Sequence, residues 1–191
     1  MGKGRLEAFT DGVVAIIITI MVLEMKVPHG ADLAALKESL PVFSAYVLIY
    51  INVGMFWNNH HHMLHAATHV DGRVLWANLL LLFWLSLVPF VIRWIDEAGF
   101  AAAPVAAYGV VLACAAVSYT ALQAQIIAAN GRKSQLAVAL GDDLKGKLSI
   151  TLYLAAIVLA FLRPWVAIVL YVAVALIWLV PDRRIESLVG K

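Results

Sequence analysis

Charge is what this chain has least of. Aspartate, glutamate, lysine and arginine make up only 14% of its 191 residues, while 63% are apolar and the mean hydropathy is +0.90. A soluble domain carries about 25% charged and 45–50% apolar residues, so this composition predicts a polytopic membrane protein. The net charge of +2 is too small to argue for nucleic acid, and the basic residues stand in short clusters that a bilayer explains better. With one cysteine, Cys114, no intramolecular disulfide, CxxC pair or Cys/His zinc spacing can form. Its place inside an apolar segment is that of a small packing residue. GxSxG, HExxH, a phosphate loop and paired carboxylates are also missing, which leaves catalysis unsupported. No soluble domain, linker, low-complexity tract or convincing repeat interrupts the chain, so residues 1–191 read as one membrane domain.

What the chain does have is long apolar runs. A spanning helix needs about 20 largely apolar residues, and six windows qualify: near Leu6 to Val27, Leu40 to Asn58, Val74 to Ile95, Ala101 to Ile127, Leu148 to Leu162 and Pro164 to Val180. A continuous helix through the last two would be too long for one bilayer, so a tight turn is expected at Arg163 and Pro164. Lys3 and Arg5 precede an apolar run as in a signal peptide. Glu7 and Asp11 interrupt it, however, and no small-residue cleavage site precedes Glu24. The run is therefore expected to be the first mature helix.

Topology follows from the basic residues, which are enriched in cytoplasmic loops. With the N-terminus inside, the inner segments hold Lys3, Arg5, Arg73, Arg132, Lys133, Lys145, Lys147, Arg183, Arg184 and Lys191, and the outer ones Lys26, Lys37, Arg93 and Arg163. Ten against four predicts both termini in the cytoplasm. Between the first two spans, ADLAALKES has Leu33 and Leu36 at helical spacing, as in a short outer interfacial helix. Ala102, Ala106, Gly109, Ala113 and Ala116 of the fourth span should let another helix approach closely.

The first span carries charges that lipid would not tolerate. Asp11 and Glu24 would each cost a few kcal/mol or more in hydrocarbon, so both must meet protein, water or an interface. At about 100° per residue, Gly12, Ile16, Thr19, Ile20, Leu23 and Val27 share one face, and Asp11 lies about 140° from Ile16. The Asp11 face can bind neighbouring helices in the subunit, while the Ile16 stripe meets lipid, another helix or a pore. If several copies met on that stripe, Ile16, Ile20 and Leu23 would form an apolar constriction that gates by dewetting, with a hydroxyl ring at Thr19.

Five of the six histidines fall in FWNNHHHMLHAATHVDGR, Phe56 to Arg73. His61, His65 and His69 recur at i, i+4 and i+8 and could share a helix face toward a metal. Only Asp71 is a nearby carboxylate, and no second histidine box completes a zinc or diiron centre. The sequence is therefore read as having no metal site and no cofactor, with His62, His65 and His69 at a wet helix end. Asn78, about a turn and a half inside the third span, is expected to bond across helices.

Arg5, Phe9, Thr10 and Asp11 resemble the RxxxFSD motif that opens the first helix of the endosomal and lysosomal potassium channel family, the transmembrane protein 175 family, and in particular its bacterial single-repeat members. Thr10 replaces the usual serine and keeps the hydroxyl. The resemblance continues through the WxNHH of Trp57, Asn59, His60 and His61, and through Asn78 to Leu82 and Pro89 to Phe90. The later spans carry no matching motif. The resemblance implies a homotetramer of six-helix subunits around a potassium-permeable pore lined by the first helix, without a re-entrant TVGYG filter. This chain has no TVGYG. It also implies apolar rings at Ile16, Ile20 and Leu23, a selectivity layer at Thr19, and a packing and hydrogen-bond network of Arg5, Phe9, Thr10, Asp11, His60 and Asn78. Glu24 would either attract cations to an outer mouth or snorkel at the interface. The alternative to a channel, a secondary or proton-coupled cation transporter, would want an ionisable midspan residue and often inverted repeats. The spans after Asp11 supply no midspan acid.

Overall fold

The computed structural model describes residues 2–179 except 24, 26, 29, 31, 32, 132 and 142. Glu24, and Lys26, Arg132, Arg183, Arg184 and Lys191 of the charge tally, lie outside the described residues. The described residues form α1 (Lys3–Leu23), α2 (Leu33–Glu38), α3 (Leu40–His65), α4 (Gly72–Ser86), α5 (Val88–Glu97), α6 (Ala102–Asn130), α7 (Gln135–Leu140), α8 (Leu144–Leu162) and α9 (Pro164–Leu179), with no strand among them. Four helical stretches are long and apolar enough to cross a membrane: Lys3–Leu23, Gly72–Glu97, Ala102–Asn130 and Leu144–Leu162. The second expected window falls within α3 and the sixth on the apolar but shorter α9.

Local chemistry sets the boundaries. The Asp71 carboxylate caps α4 by accepting from the Arg73 and Val74 amides, each at 3.0 Å, and so satisfies two of the donors that a helix start leaves open. Pro89 has no N–H to continue the α4 ladder, and the chain breaks at Leu87 before resuming as α5. At the α8–α9 corner Arg163 is extended and Pro164 opens α9. Proline fits there because its missing N–H would have no partner in the first turn.

The core is built around α6, which packs on α4, α5, α8 and α9. Its small-residue face is where the close approaches occur: Ala106, Gly109 and Ala113 are buried, and Ala116 is half-buried. A Cβ on Gly109 would collide with the Tyr171 hydroxyl and sit 2.7 Å from Ile157 Cγ1. That hydroxyl is itself held, donating to the Val105 carbonyl at 3.1 Å. Gly109→Val should therefore destabilise by about 1–3 kcal/mol through overpacking. A thermal melt in detergent that left the transition unmoved would show that α6 and α9 can separate freely.

One residue fastens the α3–α4 connection to this core. Asn130, at the end of α6, accepts on Oδ1 from the Thr68 amide, the Thr68 hydroxyl and the His69 amide, and donates from Nδ2 to the His69 and Ile126 carbonyls, all within 3.0 Å.

Candidate functional site: the two faces of the first helix

α1 has one face inside the subunit and one outside. Leu6, Thr10, Val14, Ile17 and Met21 are buried against α3, α4 and α5. Ile16 is 58%, Ile20 44% and Leu23 82% exposed, and Gly12 and Thr19 are exposed with them. A stripe of branched apolar side chains this exposed is unpartnered among the described residues of the subunit. Beside it a cleft of about 450 Å³ runs between Val13, Ile16, Ile17 and Ile20 of α1 and Ser86, Pro89, Phe90 and Arg93.

Thr19 presents its oxygen rather than its hydrogen. Its hydroxyl donates to the Ile16 carbonyl of its own helix at 3.0 Å, which uses the one donor and leaves acceptor capacity on an exposed oxygen. Such an atom suits a partly dehydrated cation.

The buried face carries a polar chain. Thr10, His60 and Asn78 are each at most 3% exposed. Asn78 donates from Nδ2 to Thr10 Oγ1 at 3.0 Å, and its Oδ1 lies 2.7 Å from His60 Nε2. Because Oδ1 can only accept, the His60 Nε2 carries the hydrogen. Three helices are thus joined by two directional bonds in a region where unsatisfied polar atoms are costly.

Asp11 is not in this chain. It is exposed, and its Oδ1 accepts from the Trp57 indole N–H at 2.7 Å. Trp57 in turn stacks on His61, with ring centroids 6.0 Å apart. Arg5 and Phe9 are exposed on the same turns of α1, and the structure brings neither into the Thr10–Asn78–His60 chain. Closer to the terminus, Lys3 Nζ donates to the His65 carbonyl at 3.0 Å and stands 3.9 Å from Glu7. The sequence reading missed Trp57 as a site residue although it opens the WxNHH stretch, the one available signal. The alignment of His61, His65 and His69 that a continuous helix would give does not form: α3 ends at His65, and the His69 amide and carbonyl are both taken by Asn130.

These features define the class: a helical, multi-pass membrane protein whose first helix offers a packed polar face and an unpartnered apolar one. The family model for the endosomal/lysosomal potassium channel TMEM175 matches residues 5–89, the stretch that holds the Thr10–Asn78–His60 chain and the Asp11–Trp57 bond. A potassium channel of Chryseobacterium sp. (strain P1-3) is 52% identical over 98% of this chain and 97% of its own length. The crystal structure of a lysosomal potassium-selective channel TMEM175 homolog from Chamaesiphon minutus superposes with a TM-score of 0.80, at 26% identity, over 94% of this chain and 97% of that one. The chicken endosomal/lysosomal proton channel TMEM175 is 30% identical over 51% of this chain and 22% of its own length. The chain belongs to the TMEM175 family, which is a family of ion channels and not of enzymes.

Proposed function

We propose that this chain is the subunit of a potassium-permeable cation channel. Four copies, each crossing the membrane six times, would place α1 around a central pore. Ile16, Ile20 and Leu23 would form the apolar constriction and Thr19 the selecting layer. The observation that carries this reading is the division of α1 itself: the buried face is satisfied within the subunit, while the Ile16–Thr19–Leu23 stripe has no partner there among the described residues. The names of the bacterial relatives support potassium as the ion. Thr10, Asp11, His60 and Asn78, with Trp57 added, would hold α1 in its subunit so that the stripe faces the axis, with Arg5 and Phe9 exposed on the same turns. The Lys and Arg distribution supports both termini in the cytoplasm, and the protein would sit in the cell membrane. Glu24 would lie at the outer mouth.

The test is ion flux in proteoliposomes under an imposed gradient, potassium against sodium. Wild-type protein should pass potassium in preference. Thr19→Ala should lower that preference several-fold while conduction persists, because the oxygens that replace part of the hydration shell are gone. An unchanged ion preference in Thr19→Ala would remove Thr19 from the selecting layer. The same vesicles loaded with a pH dye separate potassium permeation from the proton permeation named for the animal relatives.

Asp11 gives a second, independent check on the assembly. Asp11→Ala leaves the Trp57 indole N–H without its acceptor and frees the foot of α1, so the tetramer fraction on size exclusion should fall. A fully assembled, normally conducting Asp11→Ala protein would argue that this carboxylate holds nothing.

A further inference from the structure

Histidines 61 and 65 remain together after His69 is taken off the helix face. They lie one turn apart on α3, both are exposed, and their ring centroids are 6.2 Å apart with planes inclined at 32°. Imidazoles four residues apart can each direct a nitrogen at one cation, at about 2.0–2.1 Å for zinc. The exposed His65 ring can make the small rotamer change that this needs. Trp57 stacks on His61 from one side, which limits the ring's motion and lowers the entropy lost on binding.

The facing helix supplies negative charge. α1 and α3 run antiparallel here, and their register is fixed at two points: Asp11 meets Trp57, and Lys3 meets the His65 carbonyl. Between these contacts each helix advances by four residues and then four more, so Glu7 stands on the intervening turn of α1, beside Lys3, where its charge adds to the field around the pair without its joining the two rings at one point. The Lys3 ammonium is engaged with the His65 carbonyl and with Glu7.

We propose that His61 and His65 form a bidentate site for a divalent transition cation of the zinc type, with water completing the shell. Among the described residues no three histidine, cysteine, aspartate or glutamate side chains converge on one point, so the site is open and exchangeable rather than a structural metal centre. Its donor set also decides the metal. Neutral imidazoles favour zinc, nickel and copper, whereas magnesium and calcium demand oxygen ligands that this pair does not offer.

The experiment is isothermal titration of the tag-free protein in detergent with Zn²⁺ and, separately, Mg²⁺, accompanied by thermal melts. Wild type should bind Zn²⁺ with a Kd on the order of micromolar, show a raised Tm in its presence, and ignore Mg²⁺. His61→Gln and His65→Gln should each weaken binding by at least about tenfold, since even the outer partners of metal ligands are worth 10–100-fold. His69→Gln should bind as wild type does. Both altered rings are exposed, and the metal-free melt verifies that each variant is folded. Undiminished Zn²⁺ binding in the His61→Gln/His65→Gln double variant, equal binding of Mg²⁺, or no Zn²⁺ binding by wild type would each overturn the site.

Discussion

Asn78→Leu is expected to lower the melting temperature by about 4–16 °C, for a loss of about 2–4 kcal/mol in a chain of this size. Asn78 is fully buried and serves two partners at once, so leucine orphans both the Thr10 hydroxyl and the His60 Nε2–H. Each unsatisfied buried polar group costs about 1–3 kcal/mol. Hydrogen bonds between membrane helices have averaged only about 0.6 kcal/mol in double-mutant cycles, because the unfolded reference also finds partners in lipid. The larger figure applies here because Thr10, which loses its donor, and His60, which loses its acceptor, are held on separate packed helices and cannot turn to new partners without repacking. The pairing with Thr10→Val makes the argument quantitative. If the bond is direct, Thr10→Val should cost far less in an Asn78→Leu background than in wild type. Strict additivity of the two changes in Tm would mean that the two side chains are near one another without being coupled.

Ile16→Asn is expected to raise potassium flux through reconstituted protein by at least about tenfold, equivalent to a barrier lowered by about 1.4 kcal/mol. An apolar ring closes a narrow path by expelling water, so an ion must cross a vapour-like gap unhydrated. Four amides in place of four isoleucines would keep the gap wet. Ile16 suits the test because it is 58% exposed within the subunit, so the change removes little packing and the subunit should fold normally. Ile16→Ala should act in the same direction by widening the gap. Unchanged flux in both variants would retire the assignment of this stripe to the pore.

Much of this was legible in the sequence, and the misses have physical causes. Helical phase alone separated Asp11 from Ile16, and the structure puts Ile16 on the exposed stripe and Asp11 against Trp57 on α3. The corner at Arg163 and Pro164 was readable because proline has one local meaning at a helix start. The end of α3 was not readable. Hydropathy closed the window at Asn58, yet the helix continues to His65, because backbone hydrogen bonding is indifferent to whether the side chains are greasy. The break at Leu87 was also passed over, since the run from Val74 to Ile95 stays apolar through Pro89. Asp11's partner was beyond reach for a different reason. Choosing Trp57 over Arg5, Thr10, His60 or Asn78 depends on how α3 is rotated about its axis, and no residue in the sequence states that angle. The cleft beside Ile16 and Ile20 depends in the same way on where α5 comes to rest.

The hydrogen bonds of α1 have a mechanical consequence. Lys3, Thr10 and Asp11 reach α3 and α4 from the first three turns, while among the described residues no hydrogen bond from α1 beyond Asp11 reaches another helix. The connection that follows α3 is clamped in turn to the end of α6 through Asn130. The rod is therefore pinned at its foot by directional bonds and merely greased along its shaft, where Val14, Ile17 and Met21 make apolar contacts that tolerate sliding. A lever built this way swings most at its far end: the displacement at Leu23 exceeds that at Gly12 for any given tilt, so in the proposed pore the outermost ring would move furthest.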